Sequence, residues 1–222
     1  MKVVIFGGCG FLGTWLIKKL QEKKIQTIIF DKKINKIKIS KVVDFSKDTS
    51  RFIEGDITNA EQVLNASKMG NILINLVGLM TPECSQNPVS GNAVNVVGSI
   101  NVFEAAKTQN NKFVIYTSSG GVFGRNDPST PFPETHYGAF KLAVEGIARA
   151  LFLESNVSSF GLRPFIIYGP GREIGGTAGI TLACKASAQN EEYEIPFCGK
   201  AGFVFVDDVA EIIYRLIQVQ PK

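Results

Sequence analysis

Short apolar runs alternate with longer amphipathic stretches over the first three quarters of the chain. Six apolar runs are predicted to be β-strands, at residues 2–6, 25–30, 51–54, 71–76, 112–116 and 157–162. Between them, apolar residues recur at helical spacing, most clearly at residues 11–23, 91–109 and 135–154. Continuous apolar strands separated by helices are typical of a parallel sheet that is covered on both faces. The pattern therefore predicts an α/β fold with a doubly wound parallel sheet.

The last quarter of the chain departs from this rhythm. A glycine- and proline-rich segment is followed by a predicted helix at 177–188, a short strand at 203–206 and a final helix at 208–219. We interpret these elements as a small, shortened lobe that packs against the edge of the sheet. Earlier in the chain, Thr58 followed by Glu61 resembles a capping box and predicts a helix that starts at Thr58.

Composition and charge exclude several classes of protein. The chain has 222 residues and a net charge of +4, which is too small an excess to indicate nucleic-acid binding. Its basic stretch at residues 32–47 is interpreted as a solvated connecting loop. The four cysteines form no C-x-x-C pair and only one histidine is present, so neither a disulfide framework nor a metal site is expected.

The hydrophobic runs also bear on location. None approaches the ~18 residues that a membrane-spanning helix needs. The N-terminal run stops at glycines after about four residues and is interpreted as a strand rather than a signal peptide. We therefore expect a cytoplasmic protein with a small-molecule substrate and with no membrane or nucleic-acid partner.

A glycine pattern at the first strand–helix junction indicates a dinucleotide site. Gly7, Gly10 and Gly13 follow the first strand directly and open the first helix. Glycines at this spacing allow a tight turn and a close approach of the backbone to a pyrophosphate. Phe11 and Leu12 would lie there at the positive end of the helix dipole, where backbone amides bind phosphate.

Two carboxylates are predicted to bind the adenosine half of the dinucleotide. Asp31 ends the second strand, close to the ~20-residue offset at which a carboxylate holds the ribose hydroxyls. A 2′-phosphate would face that charge, so NAD is favoured over NADP, although Lys32 and Lys33 leave the preference open. Asp56 and Ile57 follow the third strand, where a carboxylate can accept from an adenine amino group; an aspartate that only shapes the turn is the alternative.

The end of the fourth predicted strand carries small and apolar residues. Leu76, Val77 and Gly78 suit a backbone that passes close to a cofactor. Met80 and Thr81 follow almost directly and are expected to contact the substrate.

The strongest catalytic pattern is Tyr137 followed four residues later by Lys141. Residues at i and i+4 share one helix face, so the ammonium can influence the phenol. A free tyrosine has a pKa of ~10, and bringing it to ~7 requires about 4 kcal/mol of preferential stabilisation of the phenolate. The lysine and a cationic nicotinamide are plausible sources. Such a tyrosinate takes a proton from a hydroxyl as hydride leaves the carbon, and Ser118 and Ser119 are placed to hydrogen-bond the reacting oxygen.

Together these motifs resemble the short-chain dehydrogenase/reductase superfamily, specifically its extended branch of nucleotide-sugar epimerases and dehydratases. The resemblance extends in register over nearly the whole chain. It adds Asn95 in the sequence NVVGS, Arg163 and Pro164 in an R-P-x-x-x-Y-G-P segment, and a late V-D-D-V motif within residues 203–210. It implies a Rossmann-type NAD-binding domain over residues 1–165 and a small substrate lobe over residues 166–222.

The resemblance also implies the roles of individual residues. Ser119, Tyr137 and Lys141 match the catalytic positions, and the last two would also hold the cofactor. Asn95 and Pro164 are expected at the cofactor. Ser118, Ser119 and Tyr137 are expected to bind the substrate together with Arg163, for which a structural charge at a strand end is the alternative.

Two departures from the family pattern affect the expected reaction. The family's dehydratases carry an acidic pair just after the catalytic Ser/Thr, where this chain has Gly120 and Gly121, so dehydration is disfavoured. Extended members also usually continue beyond the V-D-D-V helix. This difference implies a small substrate, a partner that completes the pocket, or a shortened version with weak activity.

The resemblance implies an NAD-dependent oxidoreductase or epimerase that acts on a sugar nucleotide or a related sugar derivative. One alternative is an NAD(P)H-dependent reductase of small carbonyl compounds. Another is a non-catalytic dinucleotide-binding or redox-sensing protein. Small residues are frequent in the two helices that carry Asn95 and Tyr137, which suits the four-helix interface of the superfamily and predicts a homodimer.

Overall fold

The protein is built around one parallel sheet. The computed structural model describes residues 1–46, 50–109, 113–124, 127, 129–196 and 198–221; the predicted loop end Lys47 and strand start Lys112 lie outside these ranges. Six strands pair in the order β3-β2-β1-β4-β5-β6. Their bounds are β1 Lys2–Phe6, β2 Gln26–Asp31, β3 Arg51–Glu54, β4 Ile72–Asn75, β5 Phe113–Thr117 and β6 Ser158–Leu162. The predicted α/β fold with a Rossmann-type, doubly wound sheet is confirmed.

The central strand shows why these apolar runs form strands. In β1, Val4 and Phe6 pack into the core on one face of the sheet, while Val3 and Ile5 pack into the core on the other. Both faces are therefore dry, and every residue after Lys2 in this strand is apolar. Strand order reverses between β1 and β4, and in open α/β sheets ligands bind at the carboxyl ends of the strands beside such a reversal.

Helices cover both faces of the sheet. Their bounds within the described residues are α1 Phe11–Glu22, α2 Lys36–Ile39, α3 Ala60–Ser67, α4 Thr81–Gln86, α5 Pro88–Asn92, α6 Gly98–Thr108, α7 His136–Ser155, α8 Gly179–Gln189 and α9 Val206–Val219. A π-helical turn at Ala93–Val97 joins α5 to α6, and a 3₁₀ turn at Gly120–Val122 follows β5. The predicted helix at 91–109 is thus interrupted by the π turn that contains Asn95. Such turns are frequent at functional sites.

The start of α3 differs from the sequence prediction. Asn59, not Thr58, caps the helix, because its side chain accepts from the amide of Gln62 at 3.1 Å. Asp56 instead captures Thr58 through its amide at 2.9 Å and its hydroxyl at 2.8 Å. The capping-box prediction with Glu61 was therefore wrong, since a nearby carboxylate competes for the threonine.

The C-terminal elements pack on a face of the sheet rather than at its edge, so the predicted edge position was wrong. Strands β7 Ile166–Tyr168 and β8 Phe203–Phe205 form a separate two-stranded parallel sheet. Helix α9 lies against α1 and carries a buried apolar stripe, formed by Val206, Val209, Ala210, Ile213 and Ile217. At this contact Lys19 pairs with Asp207 at 3.1 Å, and the rings of Trp15 and Phe205 lie 5.8 Å apart. The division at residue 165 into two domains stays a prediction.

The described residues contain neither a membrane-spanning helix nor a metal-binding cluster. Within these ranges, no helix combines the length and apolar character needed to cross a membrane. Likewise, no three histidine, cysteine, aspartate or glutamate side chains in the described part cluster in a way that could hold a metal ion. The four cysteines are free thiols; Cys9 and Cys84 are buried, and Cys184 and Cys198 are exposed.

Candidate active site

A cavity of about 710 Å³ lies at the carboxyl ends of β1, β4 and β5. Most of the predicted site residues line it: Gly7, Gly10, Phe11, Leu12, Gly13, Leu76, Gly78, Met80, Thr81, Ser118, Ser119, Tyr137, Lys141 and Pro164. Other predicted residues lie outside its lining: Asp31, Lys32, Asp56, Ile57, Val77, Asn95 and Arg163. The fold therefore brings the glycine loop and the predicted catalytic set to one cavity.

The glycine loop forms a cradle whose shape excludes side chains. Gly7 has a φ of +84°, which favours glycine, and its carbonyl accepts from the amide of Gly10 at 3.1 Å. A Cβ on Gly13 would lie 2.5 Å from the carbonyl oxygen of Gly7 and 2.6 Å from the Cα of Gly8. Gly10 precedes α1 in extended conformation, and no side chain among the described residues caps that helix. Its first amides are thus available to an anionic group such as a pyrophosphate.

The predicted adenosine carboxylates are both held by hydrogen bonds. Asp31 accepts from the amide of Cys9 at 2.9 Å, which ties the end of β2 to the glycine loop. Hydrogen bonds from Thr58 and an ion pair with Lys32 at 2.9 Å lower the pKa of Asp56 to about 2. The ammonium of Lys32 is therefore engaged by Asp56 in this conformation.

Tyr137 stands in the first turn of α7, and the local sequence explains its position. Thr135 caps the helix by accepting from the amide of Gly138 at 3.1 Å. A Cβ on Gly138 would collide with the carbonyl of Gly121, so the glycine lets α7 touch the 3₁₀ turn after β5. Ser119, at the start of that turn, accepts from the amide of Gly121 at 3.0 Å and lines the same cavity as Tyr137.

The electrostatics of the phenol are set mainly by burial. Burial raises the pKa of Tyr137, and the hydrogen bond with Ser119 and the charge of Arg172 only partly oppose this rise. The ammonium of Lys141 lies 5.7 Å from the centre of the tyrosine ring and donates to the carbonyl of Thr117 at 2.8 Å. The lowering of this pKa by Lys141 together with a bound oxidised nicotinamide stays a prediction, since without the cofactor the effect of burial dominates.

Lys141 is itself destabilised by its surroundings. It is buried, and desolvation lowers its pKa from 10.5 to about 8. Below pH 8 the lysine is charged in both the folded and the unfolded protein. The folded state is then destabilised by the full free energy of burying the charged ammonium. As the pH rises from 8 to 10.5, the folded state loses its proton first and the cost fades.

We expect Lys141→Met to raise the free energy of unfolding at pH 7. The pKa shift corresponds to about 3 kcal/mol, and loss of the hydrogen bond to Thr117 offsets about 1 kcal/mol of it. Urea unfolding at pH 7 should show a net gain of about 2 kcal/mol, which falls to zero at about pH 10 and becomes a net loss of about 1 kcal/mol well above pH 10.5, where only the lost hydrogen bond counts. Lys185→Met, at an exposed lysine of α8, is the matched control and should show no such trend. Equal stability of the wild type and Lys141→Met at pH 7 would contradict this account.

Asn95 fixes the backbone that follows β4. Its side-chain oxygen accepts from the amide of Leu79 at 2.7 Å, and its side-chain nitrogen donates to the carbonyl of the same residue at 2.9 Å. A Cβ on Gly78 would lie 3.2 Å from the Asn95 oxygen and 3.3 Å from the Lys141 ammonium. Val77 is held nearby, since its amide donates to Asn75 at 3.1 Å. The π turn, the end of β4 and α7 therefore meet beside Lys141.

Two predicted substrate residues are engaged by a carboxylate that the sequence reasoning missed. Glu145 accepts from the hydroxyl of Ser118 and pairs with both Nε and Nη2 of Arg163, at 2.8 and 2.6 Å. Burial alone would raise the pKa of Glu145, but these hydrogen bonds outweigh it and lower the pKa. Glu145 lies four residues after Lys141 on α7, so the helical spacing that connects Tyr137 and Lys141, extended by one step, could have found it.

A second missed residue lies in the cavity itself. Arg172 lines it from the glycine- and proline-rich segment between β7 and α8. Its guanidinium lies 5.7 Å from the ring centre of Phe11, and its Nη2 donates to Thr177 at 3.2 Å. No pattern of spacing marks this arginine, because the segment has no regular structure from which a facing direction follows.

The parallel sheet, the glycine cradle and the meeting of Ser119, Tyr137 and Lys141 define a protein of the extended short-chain dehydrogenase/reductase type. The sequence matches the model of the NAD dependent epimerase/dehydratase family over residues 3–222. The chain belongs to this family. The prediction of NAD as the cofactor is confirmed at the level of the family.

Individual relatives differ in what they act on. The chain is 33% identical over 184 residues to the decarboxylating sterol-4-alpha-carboxylate 3-dehydrogenase of Saccharomyces cerevisiae. The aligned region covers 76% of this chain and 52% of the relative, so the chain spans about half the length of that enzyme. UDP-glucose 4-epimerase from Thermus thermophilus, solved with NAD, has a TM-score of 0.81 at 19% identity, over 97% of this chain and 74% of that one. L-threonine dehydrogenase from Clostridium difficile has a TM-score of 0.86 at 21% identity, over 98% and 70%.

Proposed function

We propose that the protein is an NAD-dependent oxidoreductase that interconverts a secondary alcohol and a ketone, with Tyr137 as the general acid and base. The observation that carries this proposal is the meeting of Ser119, Tyr137 and Lys141 in the cavity that also contains the glycine loop. The experiment that tests it follows NADH absorbance while the protein is incubated with NAD and candidate alcohols, or with NADH and the matching ketones. A protein that supports neither direction with any substrate would favour the non-catalytic alternative.

The residues of the cavity suit the chemistry of proton transfer. NAD, when bound, accepts a hydride from the carbinol carbon, and its reduced form returns one to the ketone. Ser119 and the phenol of Tyr137 offer two adjacent hydrogen-bonding groups for the reacting oxygen. Because burial raises its pKa, the phenol of Tyr137 is protonated at neutral pH in the protein alone. It is therefore ready to donate, which suits reduction, and oxidation requires that ligand binding lower this pKa.

The shape of the glycine cradle supports the proposed position of the cofactor. The cradle has no room for a Cβ at Gly13, and the adjoining amides of α1 face the cavity as a site for the pyrophosphate. Asp31 would hold the adenosine ribose, and Asp56 would lie at the adenine. The remaining proposed contacts are those of the sequence analysis: Phe11, Leu12, Lys32, Ile57, Leu76, Val77, Gly78, Asn95, Tyr137, Lys141 and Pro164.

We expect the unmodified protein to bind NADH more tightly than NADPH. Asp31 accepts from the Cys9 amide and carries a charge that a 2′-phosphate would face, while Lys32 is paired with Asp56. Asp31→Ala should reduce the preference for NADH by about 10-fold or more, because the variant lacks the charge that a 2′-phosphate would face. Calorimetry with both reduced cofactors measures it, and Lys185→Gln, at an exposed lysine of α8, serves as the control. Equal or tighter binding of NADPH by the unmodified protein would show that Lys32 or Lys33 decides the preference instead.

The proposed substrate class is a sugar nucleotide or a related sugar derivative, with epimerisation or dehydrogenation as the reaction. The structural similarity to a UDP-glucose 4-epimerase supports this substrate class, and the family includes epimerases. Gly120 and Gly121 offer no acid for dehydration, and a Cβ on Gly120 would lie 2.9 Å from the ring of Phe165. Reduction of small carbonyl compounds is the alternative within the same chemistry.

The assembly and location of the protein stay predictions. A homodimer through α6 and α7 is supported by exposed apolar residues on these and the adjoining elements, notably Val97, Phe152 and Leu153. The cytoplasmic location rests on the sequence pattern alone.

A further inference from the structure

Arg172 has a donor that the protein leaves without a partner. Its Nε is buried and forms no hydrogen bond with any described residue. A buried N–H without an acceptor is unfavourable by about 1–3 kcal/mol, and more for a charged group. Because this nitrogen is shielded, a ligand satisfies it only when the side chain shifts toward the cavity that Arg172 lines.

The surroundings of Arg172 hold the guanidinium in place without neutralising it. Its Nη2 donates to Thr177, and its plane lies near the ring of Phe11. None of the ion pairs formed by described residues includes Arg172, and the neighbouring carboxylate of Glu173 pairs with Lys185 at 3.9 Å instead. A guanidinium that lines a cavity and that no described carboxylate neutralises is a group suited to bind a carboxylate.

We propose that Arg172 binds a carboxylate of the substrate, close to the carbon that is oxidised or reduced. This inference deepens the proposed oxidoreductase function and rests on it. Arg172 lines the same cavity as Tyr137, and its charge acts on the phenol. An anion held by Arg172 therefore lies in the cavity that also contains Tyr137. The substrate class is a hydroxy acid or a carboxylated sugar derivative.

The carboxylate takes no part in the bond changes of the reaction. Lys141 donates to the carbonyl of Thr117, which leaves Arg172 as the proposed partner of the anion. In the reaction the carboxylate stays intact: hydride passes from the carbinol carbon to NAD, and the hydroxyl proton passes to Tyr137.

The test measures binding, so that it does not depend on turnover. Protein saturated with NADH is titrated in a calorimeter with D-glucuronate and 3-hydroxybutyrate, and with their uncharged partners D-glucose and methyl 3-hydroxybutyrate. At least one carboxylate should bind with a Kd below about 1 mM and at least about 10-fold more tightly than its partner. Arg172→Gln should weaken that binding by about 10- to 100-fold, and Arg172→Lys by less, because a point charge replaces the planar fork.

Controls separate the possible origins of a negative result. Arg215→Gln, at an exposed arginine of α9, should bind the probes as the unmodified protein does. Thermal unfolding of each variant checks that the fold is kept. The inference is overturned if neither carboxylate binds better than its neutral partner. It is also overturned if Arg172→Gln weakens NADH as strongly as the carboxylate, since the bound anion is then the pyrophosphate of the cofactor.

The two proposals can fail independently. Turnover of an alcohol by a protein that binds neither carboxylate better than its neutral partner would overturn the carboxylate site and leave the oxidoreductase function in place. Conversely, carboxylate binding that depends on Arg172, in a protein that never reduces NAD, would leave the site in place and remove the proposed function.

Discussion

Replacing Tyr137 with phenylalanine is expected to lower turnover by about 10²–10⁴-fold, the usual contribution of a general acid or base. Tyr137 lines the cavity together with Ser119, and phenylalanine keeps the ring while removing the only proton the side chain can transfer. Affinity for NADH should fall by no more than about 10-fold, the size of one lost hydrogen bond, because the other contacts stay intact. Steady-state rates from NADH absorbance and a fluorescence titration with NADH measure the two quantities.

The matched control is Tyr214→Phe, which removes a hydroxyl on α9 outside the cavity, where the ring contacts Lys23. It should have the turnover of the unmodified protein. If Tyr137→Phe also keeps full turnover, another group carries the proton and the assignment of Tyr137 fails. If turnover falls only because NADH no longer binds, the phenol holds the cofactor and does not perform the chemistry.

Those parts of the site that depend on local sequence could be predicted. The strand Lys2–Phe6 was correct to the residue, because a strand buried on both faces has no polar position to blur its limits. Tyr137 and Lys141 fall on one side of α7 because helical spacing alone fixes their relation. Likewise, the glycine loop follows directly from β1, so its place at the carboxyl end of the sheet needs no knowledge of distant contacts.

Those parts that depend on distant contacts could not be predicted. Helix α9 has an apolar stripe, and this stripe does not show whether its partner is the edge of the sheet or α1. Ser118 and Arg163 were predicted to bind the substrate. Both form hydrogen bonds with Glu145 instead, and Glu145 lies on α7, an element to which neither residue belongs. The pKa of Tyr137 also depends on burial and on Arg172, which lies 35 residues further along the chain.

Those distant contacts also change the interpretation of Lys141. Sequence spacing suggests that Lys141 lowers the pKa of the phenol, whereas its ammonium is buried, hydrogen-bonded to β5 and has a lowered pKa itself. A charge kept in such a place costs stability, and active sites commonly retain groups of this kind because the function needs them. The expected gain in stability of Lys141→Met and the expected loss of turnover of Tyr137→Phe are therefore two results of one arrangement.

Gly13→Ala is expected to damage the cofactor site more than any other single methyl group. The added Cβ would lie 2.5 Å from the carbonyl oxygen of Gly7 and 2.6 Å from two backbone atoms of Gly8. Backbone cannot rotate away as a side chain can, so the loop must move. We expect an affinity for NADH lower by about 100-fold, because several amide–phosphate contacts are lost together, and a free energy of unfolding lower by about 1–3 kcal/mol.

Two further glycines make this test sharp. Gly146→Ala adds the same methyl group in the middle of α7, where nothing lies within 4 Å, and should raise the free energy of unfolding by about 0.5–1 kcal/mol with NADH affinity unchanged. Gly10→Ala places its Cβ 3.2 Å from the Gly7 carbonyl, so the protein should fold and yet bind NADH more weakly. Urea unfolding and NADH titration of the three variants check the series. Unchanged NADH affinity in a folded Gly13→Ala protein would show that the loop does not bind the pyrophosphate.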